Sequence, residues 1–491
     1  MYKAFGPHWV MQDELSKERQ HVLGVLKRFG RHATSFQVLE SGYCYWKANI
    51  LGYDVVVAYM LQARYRVVAG PPIAPAEVLQ ETLRLFLEDC SQSKHRPLFV
   101  SVEEDVIEAL KGLGIKLDSL PIGEQPEWDP QVYKTDTREH RTLRSQVRRA
   151  QRKGVTIRPL STEDILQDQG PLGSEIAWVV EQWRASRKIS PMQFMVDLQP
   201  FHLPSQRRYF IAEHDRRAVG VLIAVPVYEQ QGWFFEDILR IPGAPNGTVE
   251  LMVDTAMRTF QEEGSTYVTL GLSPLSHIDG PAQSHPWMHK LFGFAYNHMG
   301  KLYPFAGLHA FKRRFVPHRW TLQHIVSVGY GLHLGNLQVV LRALLGEGLF
   351  GFAWDSSKRL VSKVSYKRWS QGLMWFAGLL VPWTALLALT DGKQWFGSIG
   401  TQYAWVTFDV VLAMALFGMS RLVQQESPRS HVLSIFLAGG TFANFVLTTV
   451  QTFYLHQNVS GWSALFVSLG VLGPLLATIF LLVFGMNKPG S

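Results

Sequence analysis

The chain has 491 residues, a formal net charge of +8 and two cysteines, Cys44 and Cys90. So few cysteines exclude a disulfide-stapled secreted fold, and their separation excludes a C-x-x-C metal or redox motif. From Ser370 to Ser491 the charged side chains are Asp391, Lys393, Asp409, Arg421, Glu426, Arg429 and Lys488, so nearly all the net charge, +7, falls on residues 1 to 369.

The N-terminal MYKAFGPHWVMQDELSKERQ contains no uninterrupted apolar core, so it does not read as a signal peptide. An amphipathic helix is expected near Glu14 to Phe29, followed by strands at YCYWKANI, YDVVVAYM and YRVVAG, the last running into the turn GPPIAP. A helix over Ala76 to Cys90, a strand PLFVSV and a helix around Asp105 to Leu113 complete a first domain, residues 1–130.

Between Lys134 and Arg158 the chain turns strongly basic. Arg141, Arg144, Arg148, Arg149, Arg152 and Lys153 recur at three- and four-residue spacing, which places them on one face of a helix closed by Gly154. Such a face in a connecting segment, residues 131–155, can grip the phosphates of RNA or of an anionic lipid without reading sequence. It can equally be a plain solvated surface.

A second domain, residues 156–325, repeats the earlier order. A helix Gly173 to Arg187 precedes strands RRYFIAEH, AVGVLIAVPVY and GWFFEDILR, a helix Thr248 to Glu263 and a strand YVTLGLS. Two helix, hairpin, strand, helix, strand units in tandem give an α/β (α+β) pattern of duplicated N-acyltransferase (GNAT-like) domains. A basic juxtamembrane linker, residues 326–369, then leads to a transmembrane domain, residues 370–491.

Four apolar stretches in that last part, Gly372 to Thr390, Gln402 to Ser420, His431 to Thr452 and Trp462 to Phe484, each match the roughly 20 residues needed to cross a bilayer. Lys358, Arg359, Lys363, Lys367 and Arg368 precede the first, Arg421 and Arg429 separate the second and third, and Lys488 follows the fourth. The positive-inside rule puts all of these on the cytoplasmic side, with the N-terminal region beside them. Asp409, inside the second span, is a functional candidate because a carboxyl there is costly.

The stretch FFEDILRIPGAPNGTVELMVDTAMRTFQEEGSTYVTLGLSPLSH concentrates the remaining signals. Asp237, Leu239 and Arg240, then Ala244 to Gly247, Glu250, and Leu270, Gly271, Pro274 and Leu275 follow in order. YPFAGLHAFKRRFVPHRW adds Gly307, Leu308, Phe311, Lys312, Arg314, Phe315, Pro317 and Trp320. This series resembles the C-terminal synthase domain of bacterial phosphatidylglycerol lysyltransferases, the multiple-peptide-resistance factors, over about residues 25 to 325. The chain departs from that pattern at Ile241 and His309, where the family carries arginine.

The resemblance implies a bacterial inner-membrane, multi-pass enzyme whose catalytic region faces the cytoplasm. It would move an amino acid such as lysine from its ester link on aminoacyl-tRNA, a co-substrate, to a hydroxyl of phosphatidylglycerol, without metal or bound cofactor. Asp237, Arg240, Glu250 and Lys312 are the expected catalytic residues, and Asn246, Gly247, Gly271 and Arg314 the expected substrate contacts. Arg141, Arg144, Arg148, Arg149 and Arg152 would hold tRNA or lipid phosphate. An acidic pair, Asp237 and Glu250, suits a substrate ammonium, while Arg240 and Lys312 suit a phosphate or a developing oxyanion.

Each residue also has a structural reading. Asp237 and Arg240 can form an ion pair closing a strand, Glu250 can complement its helix dipole, and Lys312 to Arg314 can be a solvated basic run. His277, His285, His289 and His298 fit no zinc spacing and are taken as non-ligands. The acetyl-coenzyme A signature R/Q-x-x-G-x-G/A is absent from the sequence. Two other functions remain open: a GNAT-fold transferase acting on a peptide or small amine, and a membrane-tethered RNA- or lipid-binding protein.

Overall fold

A computed structural model describes residues 15–160, 164, 171–186, 198–274, 276, 305–345, 366–455 and 462–485. It divides into a unit built on residues 1–187 and 191–350, and a second holding 188–190 and 351–491.

The first unit contains a twelve-stranded sheet in the order β1-β2-β3-β4-β12-β5-β10-β9-β8-β7-β6, with β11 also pairing β5. Its first half has helix α1 (Lys17–Phe29), strands β1 (Cys44–Ile50), β2 (Tyr53–Gln62) and β3 (Tyr65–Ala69), helix α2 (Ala76–Gln92), strand β4 (Arg96–Val102) and helix α3 (Glu104–Lys111). After β5 (Leu117–Trp128), the basic helix α4 (Arg141–Arg152), β6 (Thr156–Leu160) and α5 (Pro171–Ser186) come β7 (Arg208–His214), β8 (Arg217–Val227), β9 (Gly232–Arg240), α6 (Thr248–Glu262), β10 (Tyr267–Thr269) and β11 (Ser273–Pro274).

The duplication expected from element order is visible in the pairing. In each half three antiparallel strands are followed by a crossover helix and a fourth strand parallel to the third: α2 joins β3 to β4, and α6 joins β9 to β10. A parallel pair demands such a crossover, whereas the β1–β2, β2–β3 and β7–β8 hairpins close in two residues and the β8–β9 hairpin in four. Leu51 and Gly52, and likewise Asp215 and Arg216, have the positive φ of those tight turns.

Two of the expected domain limits differ in the structure. Helix α7 (Phe305–Arg313) is followed by β12 (Arg319–Val328), which inserts between β4 and β5 in the first half of the sheet, antiparallel to both. Residues 326–345, expected as linker, finish β12 and form α8 (Leu334–Leu345), whose Val340 and Ala343 join the core beneath β2 and β3. Apolar spacing in LGNLQVVLRALL explains why: it buries a face too hydrophobic to stay in water.

The two faces of the second half are covered differently. Phe210, Leu222 and Phe235 pack with α6 through Leu251, Met252, Val253 and Met257. On the opposite face Tyr209, Ile211, Val221, Ile223 and Leu239 pack with α5 through Ile176, Val179 and Val180. Side chains alternate along a strand, so one strand feeds both cores.

The second unit contains α9 (Tyr366–Leu389), the short α10 (Gly392–Phe396), α11 (Ile399–Gln424), α12 (Arg429–Leu455) and α13 (Trp462–Gly485). Of these, α9, α11 and α12 are long and apolar enough to cross a membrane, and α13 is apolar over Gly470–Gly485. Large apolar side chains face outward, Trp375 at 74% and Phe436 at 77% exposure, as expected where lipid is the solvent. Polar groups pair between helices: Ser370 with Ser420 at 2.9 Å, and Gln402 Nε2 donating to the Leu387 and Thr390 carbonyls at 2.8 Å. Asp409 is buried within this bundle.

Candidate active site

Lys312 is the most perturbed of the sequence-identified residues. It lies near the end of α7 at 4% exposure, held there because Phe311 and Phe315 pack into the core around α6. Its Nζ donates to the carbonyls of Gly271 (2.7 Å) and Leu272 (2.8 Å), beside the link between β10 and β11. Burial pushes the amine from the usual 10.5 down to about 7, because a charged ammonium loses its hydration there. Lys312 is therefore not part of a solvated basic run.

Gly271 supplies the close approach this contact needs. Its φ is +69°, and an added Cβ would come within 2.6 Å of the Phe234 ring. Only glycine lets the backbone turn there and leave two carbonyls facing Nζ.

Asp237 and Arg240 are not brought together. Ile223 pairs with Asp237 while Ala224 pairs with Phe235, so Glu236 is the extra residue of a bulge. Beyond the bulge the register is regular through Gly220 and Arg240, which puts Asp237 on the α5 face with Leu239 and Arg240 on the other. Asp237 is half-buried, whereas Arg240 is exposed and donates to the Ala244 carbonyl at 3.4 Å. Residues three apart along a strand point to opposite sides, so the expected pairing in one cleft fails on strand geometry.

Glu250 sits in the first turn of α6 on the face opposite Asp237, and it forms an ion pair with Arg314 at 3.1 Å. The anticipated acidic pair is thus split across the sheet, and Glu250 already has a cation. Asn246 is exposed in the turn before α6. Gly247, expected as a substrate contact, has φ +94°, and a Cβ there would lie 2.1 Å from the Gln146 carbonyl oxygen of α4. It lets α4 dock against the start of α6.

That docking sorts the basic residues. Leu143, Val147 and Ala150 of α4 pack into the core with α6, which turns Arg141, Arg148, Arg149, Arg152 and Lys153 outward, all exposed. Arg144 differs: it donates to the Thr135 and Thr137 carbonyls and locks the preceding loop. Leu275, His277, His285, His289 and His298 lie outside the described residues.

Sequence reading missed a buried polar cluster on the Asp237 face. Arg207, at 1% exposure, forms an ion pair with Glu236 and donates its Nε to the His202 carbonyl at 2.6 Å. Burial opposes its charge, and the Glu236 carboxylate more than offsets that, so the guanidinium stays firmly protonated. From the first half, Gln37 Nε2 donates to the other Glu236 oxygen at 3.3 Å, and Glu40 lies close enough to act on Arg207. The SQRR run gave no signal that one of its arginines is fully buried.

The family described as phosphatidylglycerol lysyltransferase, C-terminal, matches residues 24–325. Phosphatidylglycerol lysyltransferase of Bacillus subtilis (strain 168) is 24% identical over 259 residues, covering 52% of this chain and 29% of that protein. The lysylphosphatidylglycerol biosynthesis bifunctional protein LysX of Mycolicibacterium vanbaalenii is 23% identical over 220 residues, 44% of this chain and 19% of the relative. The chain therefore spans less than a third of the length of these two relatives. Two solved structures share the fold at 16% identity and a TM-score of 0.55. One is the C-terminal domain of a putative lysylphosphatidylglycerol synthetase from Agrobacterium fabrum, covering 66% of this chain and 96% of that one. The other is L-PGS from Bacillus licheniformis, covering 68% and 99%. With 302 of its residues inside the matched range, this chain belongs to the phosphatidylglycerol lysyltransferase C-terminal family.

Proposed function

We infer that the chain is a membrane-embedded aminoacyltransferase that moves an amino acid from aminoacyl-tRNA to a hydroxyl of a phosphatidylglycerol-type lipid. Family membership supports the lipid acceptor, and three membrane-length apolar helices suit a substrate that resides in a bilayer. In this reading the helices make a multi-pass anchor in the bacterial inner membrane, with the catalytic unit on the cytoplasmic side by the positive-inside rule.

The observation that carries the reading is the state of Lys312. A neutral amine has two N–H bonds and one lone pair; here two hydrogens are committed to the Gly271 and Leu272 carbonyls, which leaves the lone pair for a proton. With its pKa near 7, the amine is poised to take the proton of an attacking lipid hydroxyl and return it to the departing ribose oxygen. The hydroxyl oxygen forms the new ester bond to the acyl carbon as the old ester bond to ribose breaks. Since the donor ester is already activated, positioning and charge stabilisation suffice for most of the acceleration. Asp237 would hold the substrate ammonium, and the exposed arginines of α4 would meet tRNA phosphates.

Purified protein reconstituted into phosphatidylglycerol vesicles with radiolabelled lysyl-tRNA tests this. Label should appear in the lipid fraction, and the Lys312→Met variant should transfer none. Absence of lipid-bound label with the native chain, together with transfer to a peptide or small amine, would replace this acceptor.

A further inference from the structure

In the second unit the seam between α11 and α12 opens into a groove of ≈ 520 Å³ beside the short helix α10. Phe396 of α10, Trp405 and Phe408 of α11, and Leu447, Val450 and Gln451 of α12 line it. Ala404, small and exposed, leaves room that a larger side chain would fill. Packed protein leaves few gaps of this size, so the groove is a place for a second molecule. Its volume falls within the roughly 300–1,000 Å³ of ligand sites.

The walls are held in place by their own polar groups. Trp405 Nε1 donates to Gln451 Oε1 at 2.8 Å, Gln451 Nε2 donates to the Trp395 carbonyl at 3.4 Å, and the Thr401 hydroxyl pairs with that of Ser398 at 2.8 Å. Asp391 Oδ1 accepts from the Lys393 and Gln394 N–H groups where α10 starts, and Gly397, at φ +75°, ends that helix directly after Phe396. With those groups turned to one another, the space is faced by aromatic rings and hydrocarbon, which suits an acyl chain and not a polar ligand. Inside a bilayer the surrounding tails are equally apolar, so packing against fixed rings and a charged contact at the headgroup must retain a particular lipid. Lys393 supplies that charge: it is exposed, lies three residues before Phe396 on α10, and forms no ion pair with a described residue.

We propose that this groove seats one acyl chain of a glycerophospholipid, with the lipid phosphate against Lys393. Ala404 to Phe408 lie toward the start of α11 and Leu447 to Gln451 toward the end of α12, whereas Arg421 and Arg429 mark the opposite ends of the same helices. The seated lipid therefore belongs to the leaflet remote from those arginines, the non-cytoplasmic one by the positive-inside rule. The acceptor lipid of the reading above presents its headgroup on the cytoplasmic side, so this is a different molecule. The site rests on the membrane-spanning reading and is independent of the transfer chemistry. Its role is to fill the seam and tie α10 to α11 and α12.

Photocrosslinking of the full chain tests the site. The protein is reconstituted into phosphatidylethanolamine and phosphatidylglycerol vesicles carrying a trace of phosphatidylglycerol with a diazirine in one acyl chain, irradiated, and mapped by peptide mass spectrometry. Leu386, exposed toward the same end of α9, is the reference for lipid that merely surrounds the bundle. Residues 404–408 and 447–451 are expected to label with a roughly five-fold excess over Leu386, and Ala404→Trp should remove that excess. Lys393→Gln should lower it roughly two-fold, and an unchanged excess there would overturn the phosphate contact. Equal labelling of groove and reference, or an excess that survives Ala404→Trp, would mean ordinary bilayer lipid and would overturn the site. Label at Leu386 with none in the groove would mean that a protein helix covers it, which also overturns the assignment. Label at neither place would sink the membrane-spanning reading itself.

Discussion

Replacing Lys312 by methionine exposes the cost of its burial. The amine drops from 10.5 to about 7, so between those values the unfolded chain holds a proton that the folded chain does not. Stability must then rise with pH across that window, at about 1.4 kcal/mol per unit, or roughly 2.7 kcal/mol between pH 7 and pH 9. Below pH 7 both states are protonated and the full penalty stands. Methionine removes the titration but leaves the Gly271 and Leu272 carbonyls without their donor, a loss of about 1–3 kcal/mol each. Near pH 7 the two effects roughly cancel, so the variant should fold with similar stability and fall behind the native chain as pH rises. Paired denaturant titrations in detergent at pH 7 and pH 9, followed by tryptophan fluorescence, read the difference directly. Parallel pH dependence of the two proteins would refute a depressed, buried amine, and with it the proposed proton shuttle.

Further outcomes follow from the site and the basic helix. Replacing Arg148 and Arg149 together by alanine should weaken tRNA binding in filter assays and flatten its salt dependence, with the fold intact. Arg144→Ala should instead cost about 1 kcal/mol of stability, because it frees two loop carbonyls. In Gly247→Ala the new Cβ meets the Gln146 carbonyl at 2.1 Å in a left-handed backbone, so a loss above about 2 kcal/mol and faster tryptic cleavage within α4 are expected. Aminoacylation should lose its rate as pH falls below about 7, where Lys312 gains a proton; a flat profile in lipid extraction assays would argue against its role as base.

Much of this fold was legible because its elements carry strong periodic signals. The strand GWFFEDILR and the helices at Ala76 and Thr248 stand within a few residues of their expected limits. Strand β5 was missed because Pro121, Gly123 and Pro126 punctuate it like a loop, yet it is paired on both edges. Insertion of β12 into the first half is a long-range pairing that no local pattern encodes. At the site, Lys312 and Gly271 were chosen by resemblance and meet in space, whereas Asp237, Arg240 and Glu250 do not share a face. Strand alternation was available in the sequence and predicts that separation; the Glu236 bulge and the burial of Arg207 were not.

Mass spectrometry of total lipids from cells expressing the intact chain tests the central claim most directly, with Asp237→Ala and Lys312→Met chains as controls and a ribonuclease-treated extract alongside. The account predicts a new aminoacylated phosphatidylglycerol whose mass names the amino acid and which is missing from both variants, while both still insert into the membrane and while the extract makes no further product once ribonuclease has destroyed its tRNA. An unchanged lipid profile from a folded, membrane-inserted native chain, or product that survives both substitutions, would contradict it.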